Sequence, residues 1–443
     1  MLPLLAFFAL MAFCQSKGEF EGDGWRYLQN ARNLLHGYLA GPETLMFWNG
    51  PGYPLTLVPF VAFGIPLPLA HLANALFLYL AMAHFQGALR SCGIEKRSLA
   101  YAYGMGILLF LHGPLLGMIM SESLSAFLAC GAAWHFCRAA RPDGTGRQAA
   151  AAGAYLGGLA LTKVFFGYAL EVSLAISLAA WAWARVREGT SGDPGAGSAL
   201  AAEGRLETLP AAQAAAVAAV QATTVARAAA TACAVGLLVC APYLAHTWSK
   251  TGKANFWGNS GGYMLYCMSL PEAEYRGDWL NPMAVLEHPE FFRAQVGFIG
   301  ETWKLDALAQ DGVFKRAALR NCREHPGKCF RNWRANVNRM VFGFPVTPYP
   351  GSDPELSTGN RAFVYAFPFF LLLILAVPGL MARGFIPAGV HFCLAFACMS
   401  LGGLSLLSAI PRQAFPLLPL MGLWCVVALE NAIRIRGRSI EGN

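Results

Sequence analysis

Residues 67–89 read LPLAHLANALFLYLAMAHFQGAL, and no Lys, Arg, Asp or Glu interrupts them. A helix needs about 20 consecutive apolar residues to cross the hydrocarbon core of a bilayer. A charged side chain at its centre would cost roughly 2.5–3.5 kcal/mol to insert. This stretch therefore predicts a membrane-spanning helix.

Nine further apolar stretches flank it, so the sequence predicts an all-α polytopic membrane protein with about ten spans. The first stretch lacks the basic leader of a cleaved signal peptide, and we interpret it as an uncleaved anchor. Whether its true start lies upstream stays open. The ten predicted spans are 1–14, 67–89, 99–117, 122–137, 149–162, 164–184, 226–245, 362–381, 386–408 and 414–431.

Composition supports the same class. Only 13% of the 443 residues are charged and 56% are hydrophobic, whereas soluble proteins have about 25% charged residues. The net charge is +8. In a membrane protein such an excess is explained by loops that set topology and meet anionic lipid, so we expect a membrane lipid partner and no nucleic acid.

The positive-inside rule predicts that both termini are cytoplasmic. The short loops on the other side hold only Lys163 and Arg412. The basic loops and tail instead hold Arg90, Lys96, Arg97, Arg138, Arg141, Arg147, Arg185, Arg187, Arg205, Arg383, Arg434, Arg436 and Arg438.

The domain prediction follows from the loops. Residues 1–245 form a transmembrane core that includes a first outer loop (15–66) and a flexible cytoplasmic insert (188–225) rich in Ala and Gly. Residues 246–361 form an outer subdomain of mixed structure. Whether Cys322 and Cys329 form a disulfide there stays undecided. Residues 362–443 form the last helices and a basic tail.

The first outer loop carries the functional signal. Residues 20–38 read FEGDGWRYLQNARNLLHGY and predict an interfacial helix, because Trp25, Leu28 and Leu35 recur at helical spacing. Asp23 lies near its start, where a carboxylate caps free N–H groups or serves chemistry. Residues 47–54, FWNGPGYP, predict a shaped turn that returns the chain to the bilayer.

These motifs resemble the GT-C class of membrane glycosyltransferases, in particular protein O-mannosyltransferases and the lipid A aminoarabinose and related lipopolysaccharide sugar transferases. Further matches follow in order at 120–123 (MSES), 159–163 (LALTK), 241–243 (APY) and 410–416 (IPRQAFP). The family's adjacent Asp-Glu pair is incomplete, because Gly24 follows Asp23 and the nearest second acid is Glu21.

The resemblance implies transfer of a sugar from a polyprenyl-phosphate donor to a lipid, glycan or protein acceptor at the outer face of a cell inner membrane. Asp23 is then the general base of an inverting single displacement. Cations stabilise the leaving phosphate. The substrate-binding residues implied are Glu122, Lys163, Arg412, Tyr53 and Glu21.

Several alternatives stay open. Glu122 at a helix start is favoured by the helix dipole, and Lys163 at a membrane edge is favoured by snorkelling, without any function. A divalent metal ion held by Asp23 and Glu122, whose carboxylate oxygens suit hard cations, and a site without metal both stay open as cofactor predictions. A transporter or lipid flippase, or a polymerase or ligase of lipid-linked glycans, has similar hydropathy.

Overall fold

The computed structural model describes residues 1–16, 23–41, 45–112, 116–188, 211–344, 347, 359–382, 386–407 and 409–441. Seventeen α-helices and a 3₁₀ turn at Pro411–Ala414 account for most of them. The helices are α1 Leu2–Cys14, α2 Asp23–Leu35, α3 Gly52–Ala62, α4 Pro68–Ser91, α5 Ser98–His112, α6 Glu122–Ala139, α7 Gly146–Thr162, α8 Phe165–Glu188, α9 Ala211–Thr251, α10 Gly261–Ser269, α11 Pro282–Glu287, α12 Val296–Trp303, α13 Ala307–Glu324, α14 Pro326–Phe342, α15 Gly359–Ala382, α16 Ala388–Ser405 and α17 Leu418–Glu441.

The apolar helices match the hydropathy reading in kind. Among the described residues, five segments are long and apolar enough to cross a membrane: Pro68–Ser91, Phe165–Val186, Val220–Thr251, Ala388–Ser405 and Leu418–Ile435. Four shorter apolar helices are Leu2–Cys14, Gly52–Ala62, Ser98–His112 and Phe363–Pro378. The protein is thus a helical polytopic membrane protein, and the count of ten spans stays a prediction.

Small residues let the central helices approach closely. Gly153 and Gly157 lie four residues apart on α7 and face α9. A Cβ on Gly153 would lie 2.4 Å from the Ala232 carbonyl oxygen, and one on Gly157 would lie 2.7 Å from that of Gly236. Such close backbone contact is how helices gain packing energy in lipid, where no hydrophobic force drives them together.

Two sequence predictions need correction here. The insert predicted to be flexible at 188–225 overlaps helix α9, which begins at Ala211; residues 189–210 lie outside the described residues. The turn predicted at 47–54 ends early, because α3 begins at Gly52 and accepts Pro54 in its first turn. A first-turn proline loses no helical hydrogen bond.

The segment predicted as an outer subdomain has its own apolar core. Helices α10 to α14 surround Tyr263, Tyr266, Tyr275, Phe292 and Phe314, all buried. In the part of 246–361 that the structure describes, every regular element is a helix, so the mixed structure predicted there is wrong. Cys322 and Cys329 are both free thiols in the structure, and their disulfide stays a prediction.

Candidate active site

Four side chains from distant parts of the sequence meet at one end of the helical bundle. Asp23 is the first residue of α2 and Glu122 the first residue of α6. Lys163 follows the last residue of α7, and Arg412 lies in the 3₁₀ turn before α17. We call these four residues, together with Arg26, the charge cluster, and the bundle end that carries them the site face.

Arg412 is the centre of the charge cluster. One guanidinium nitrogen, Nη2, donates to Asp23 Oδ2. The other, Nη1, lies 3.9 Å from Glu122 Oε1 and 3.1 Å from Met120 Sδ. The planar guanidinium thus bridges two carboxylates that are 99 residues apart in sequence.

Glu122 is the most buried member. Its side chain is 1% exposed, and Oε1 accepts a hydrogen bond from Lys163 Nζ at 3.1 Å. Its other oxygen, Oε2, is buried without a hydrogen-bond partner among the described residues. A buried carboxylate oxygen that lacks a donor is destabilising. A substrate hydroxyl would satisfy it.

Arg26 belongs to the cluster although sequence reasoning did not select it. Its guanidinium donates to Asp23 Oδ1 and lies 5.0 Å from the centroid of the Trp48 ring, a cation–π contact. The available signal was the spacing, because residues i and i+3 share a helix face. This contact joins the 47–54 motif to Asp23.

The electrostatics of the cluster favour an anion. Three cations (Arg26, Lys163 and Arg412) face two carboxylates (Asp23 and Glu122), which leaves one positive charge in excess. All five side chains are at most 30% exposed, so water screens this excess less than it would at an open surface.

The pKa of Asp23 reflects the same balance. Burial by itself would raise the pKa of this carboxyl group, but the charges of Arg412 and Arg26 and their hydrogen bonds outweigh burial and lower the pKa to about 2. Burial by itself would lower the pKa of Arg412, but the charges of Glu122 and Asp23 outweigh burial and raise that pKa above its ordinary value. Both groups are therefore charged at neutral pH.

The glycines of the 47–54 motif are required by close packing. A Cβ on Gly50 would lie 2.0 Å from the Leu161 carbonyl oxygen, and one on Gly52 would lie 2.5 Å from Thr162 Oγ1. Only glycine fits such an approach. The motif is thereby seated on the end of α7, directly before Lys163.

One predicted substrate-binding residue, Tyr53, makes its contacts outside the cluster. Tyr53 is fully buried, donates to Asn74 Oδ1 at 3.1 Å and packs edge-on against Tyr27 with ring centroids 4.9 Å apart. Asn74 in turn donates to the Met118 carbonyl at 2.7 Å, so Tyr53 supports the loop before Glu122. Glu21 lies outside the described residues.

The donor set does not suit a divalent metal ion. Each carboxylate of the cluster is paired with a guanidinium or ammonium group, and the net charge is positive. Within the described ranges, no three His, Cys, Asp or Glu side chains come together as metal ligands. The residues present therefore fit an anionic group better than a cation.

The comparisons with known proteins give distant structural matches. No family model matches the sequence, and no curated protein matches it. Among solved structures, ArnT from Cupriavidus metallidurans with bound undecaprenyl phosphate is 13% identical, with a TM-score of 0.37, and the match covers 98% of this chain and 77% of ArnT.

The second match is the archaeal oligosaccharyltransferase AglB from Archaeoglobus fulgidus, in complex with an inhibitory peptide and a dolichol-phosphate. It is 14% identical, with a TM-score of 0.44, and covers 100% of this chain and 51% of AglB. This chain spans about half the length of AglB. Two of the solved structures to which this chain is similar are thus ArnT with undecaprenyl phosphate and AglB with dolichol-phosphate.

Proposed function

We propose that this chain is a membrane glycosyltransferase that moves a sugar from a polyprenyl-phosphate donor to an acceptor hydroxyl at the site face. The observation that carries the proposal is the charge cluster. It places a carboxylate, Asp23, beside cations in excess at the end of a bundle of apolar helices. A lipid-linked phosphate presents its anion at such a place, and its prenyl chain extends along the helices.

In the proposed reaction, Asp23 takes the proton from the acceptor hydroxyl as its oxygen bonds to the anomeric carbon. The bond from that carbon to the phosphate oxygen breaks at the same time, with inversion. The electron pair leaves with the polyprenyl phosphate. Arg412 and Lys163 stabilise the developing phosphate charge, and no metal step is needed.

Arg412 couples donor binding to the base. In the structure it bonds to Asp23, which keeps the pKa of that carboxyl group low and the group weakly basic. A donor phosphate would compete for the guanidinium, whose fork suits phosphate as well as carboxylate. Sharing Arg412 would raise the pKa of Asp23, so the base gains strength when the donor is present.

The alternative functions differ from glycosyl transfer in where their ionisable residues lie and in which of them are needed. A transporter or flippase places its ionisable residues near the bilayer midplane on broken helices. Here the ionisable residues Asp23, Glu122 and Lys163 lie at the ends of α2, α6 and α7. A polymerase or ligase of lipid-linked glycans would rely on Arg412 with Asp23 dispensable.

The test is a transfer assay in proteoliposomes with Asp23→Asn, Arg412→Lys and a matched control, Asp143→Asn. Asp143 is also paired with an arginine, Arg141 at 3.2 Å, but it is exposed. Asp23→Asn should reduce transfer by roughly 10²–10⁴-fold. Asp143→Asn should leave transfer unchanged. Full activity of Asp23→Asn would remove the base from the mechanism, and loss in Arg412→Lys alone would favour the polymerase or ligase.

A further inference from the structure

Helix α14 buries three polar side chains and exposes two large apolar ones. Asn332, Asn336 and Arg339 are each at most 4% exposed, whereas Phe330 is 59% and Val337 37% exposed. Asn332 Nδ2 donates to the Met268 and Leu270 carbonyls at 2.8 and 3.1 Å. A surface helix in water shows the opposite arrangement.

This helix lies across the end of membrane helix α16. Trp333 Nε1 donates to Ser405 Oγ at 3.0 Å, and Asn336 Nδ2 donates to the Ser405 carbonyl at 3.1 Å. Ser405 is the last residue of α16. The helix is therefore held at the level of the membrane surface on the site face.

The exposed side of α14 continues onto an apolar helix. The ring of Phe342, the last residue of α14, lies 6.1 Å from that of Phe370 on α15. Phe370 is 51% exposed on one of the shorter apolar helices. The apolar side chains of α14 thus border a surface that lipid covers.

Helix α14 and the preceding helix α13 are also strongly basic. Helices α13 and α14 contain eight Lys and Arg and only two acids, Asp311 and Glu324. Three of the cations have internal partners: Lys315 pairs with Asp311, Arg339 pairs with Asp278, and Lys328 donates to backbone carbonyls. The other five are exposed, and no carboxylate of the described residues lies within 4.0 Å of them: Arg316, Arg320, Arg323, Arg331 and Arg334.

We infer that these five arginines, with Leu319, Phe330 and Val337, form a basic face that binds the phosphate headgroups of anionic phospholipids in the adjacent leaflet. Guanidinium groups bind phosphate in a bidentate manner. The interleaved apolar side chains insert at the boundary between headgroups and acyl chains. A soluble polyanion would satisfy the arginines but would leave Phe330 in water.

This binding would hold the outer helices close to the membrane. Helix α14 also packs against the 3₁₀ turn that contains Arg412. Headgroup contact on the exposed side of α14 would therefore restrict the motion of a helix that supports the charge cluster. The inference stands on the surface alone and does not require the proposed reaction.

The test is hydrogen–deuterium exchange of the full chain in nanodiscs of zwitterionic phosphatidylcholine, with and without about one third phosphatidylglycerol. Amides of α13 and α14 should exchange more slowly in the anionic nanodiscs, by about five-fold for each arginine engaged. Amides of α12, in the same subdomain, should not change. The wild-type comparison needs no variant.

Two further arms identify the ligand. The double variant Arg331→Gln/Arg334→Gln should lose most of the anionic-lipid protection, and Arg293→Gln, an exposed arginine of the same subdomain, should keep it. Inorganic phosphate added to phosphatidylcholine nanodiscs should give no protection. Equal exchange in both membranes, or full protection by inorganic phosphate, would overturn the inference.

Discussion

The buried ion pair between Lys163 and Glu122 gives the sharpest test of the site's energetics. The perturbation is Lys163→Met, which keeps an unbranched side chain one atom shorter and removes its charge. It would leave a carboxylate that is 1% exposed with only the Arg412 guanidinium at 3.9 Å. Its second oxygen already lacks a donor among the described residues.

The magnitude follows from burial. Removing one partner of a buried ion pair costs about 3–5 kcal/mol, because the other charge stays buried without compensation. Since Arg412 still offers part of that compensation, we expect about 3 kcal/mol of destabilisation. Lys163→Met/Glu122→Gln should recover more than half of the loss, because no unpaired charge then remains.

A matched control has the same geometry at another place. Arg97 and Glu430 form an ion pair of 3.2 Å, almost equal to the 3.1 Å of the buried pair, but Arg97 is 56% exposed. Glu430 also accepts from Tyr101 at 2.6 Å, so it keeps a donor in Arg97→Met. Because water screens an exposed pair, losing it should change stability little.

The assay is equilibrium unfolding in mixed micelles, titrated with denaturing detergent and followed by far-UV circular dichroism. The account predicts a clear difference between Lys163→Met and Arg97→Met. Equal, small losses of unfolding free energy in both variants would show that the site is solvated, and the reasoning from burial would be refuted.

Three further predictions follow from the site. Because the pKa of Asp23 is lowered from 3.8 to about 2, its carboxylate stabilises the fold above pH about 4 and loses this contribution as the pH falls toward 2; in pH-dependent unfolding, the advantage of wild type over Asp23→Asn should shrink by roughly 2 kcal/mol there. Arg26→Gln should raise the pKa of Asp23, because one of the two guanidinium groups that lower it is removed, so the acidic limb of the transfer–pH profile moves to higher pH; an unmoved limb would contradict the pairing. Gly50→Ala should lower thermal stability, because its Cβ would lie 2.0 Å from the Leu161 carbonyl oxygen, whereas Gly104→Ala, with open space around it, should be neutral or stabilising.

Sequence reasoning found the meeting of Asp23, Glu122, Lys163 and Arg412 because topology carries that information. Each of the four residues lies near the outer end of a predicted span. Because the chain alternates across the membrane, these outer ends all lie at one surface. The pairing itself was not predictable. Asp23 and Arg412 are 389 residues apart, and only the packing of the bundle decides which cation meets which carboxylate.

Other features were missed for physical reasons. Composition predicts a flexible linker at residues 211–225, but these residues begin α9. The segment is rich in alanine, which has the highest helix propensity. Tyr53 was selected by its motif, but its hydroxyl is used by Asn74, a contact between helices that no local pattern indicates. Asn336 of α14 is buried because its side chain donates to the Ser405 carbonyl at the end of α16. Hydropathy along one segment does not reveal such a contact.

The most direct test of the central claim is release of label from a panel of radiolabelled polyprenyl-phosphate sugars by the wild-type chain in proteoliposomes, with cell-envelope extract as the source of acceptor. The account predicts release from at least one donor, and transfer of the label to an acceptor with inverted anomeric configuration. Movement of intact donors across the bilayer, with no release from any of them, would contradict glycosyl transfer and favour a flippase.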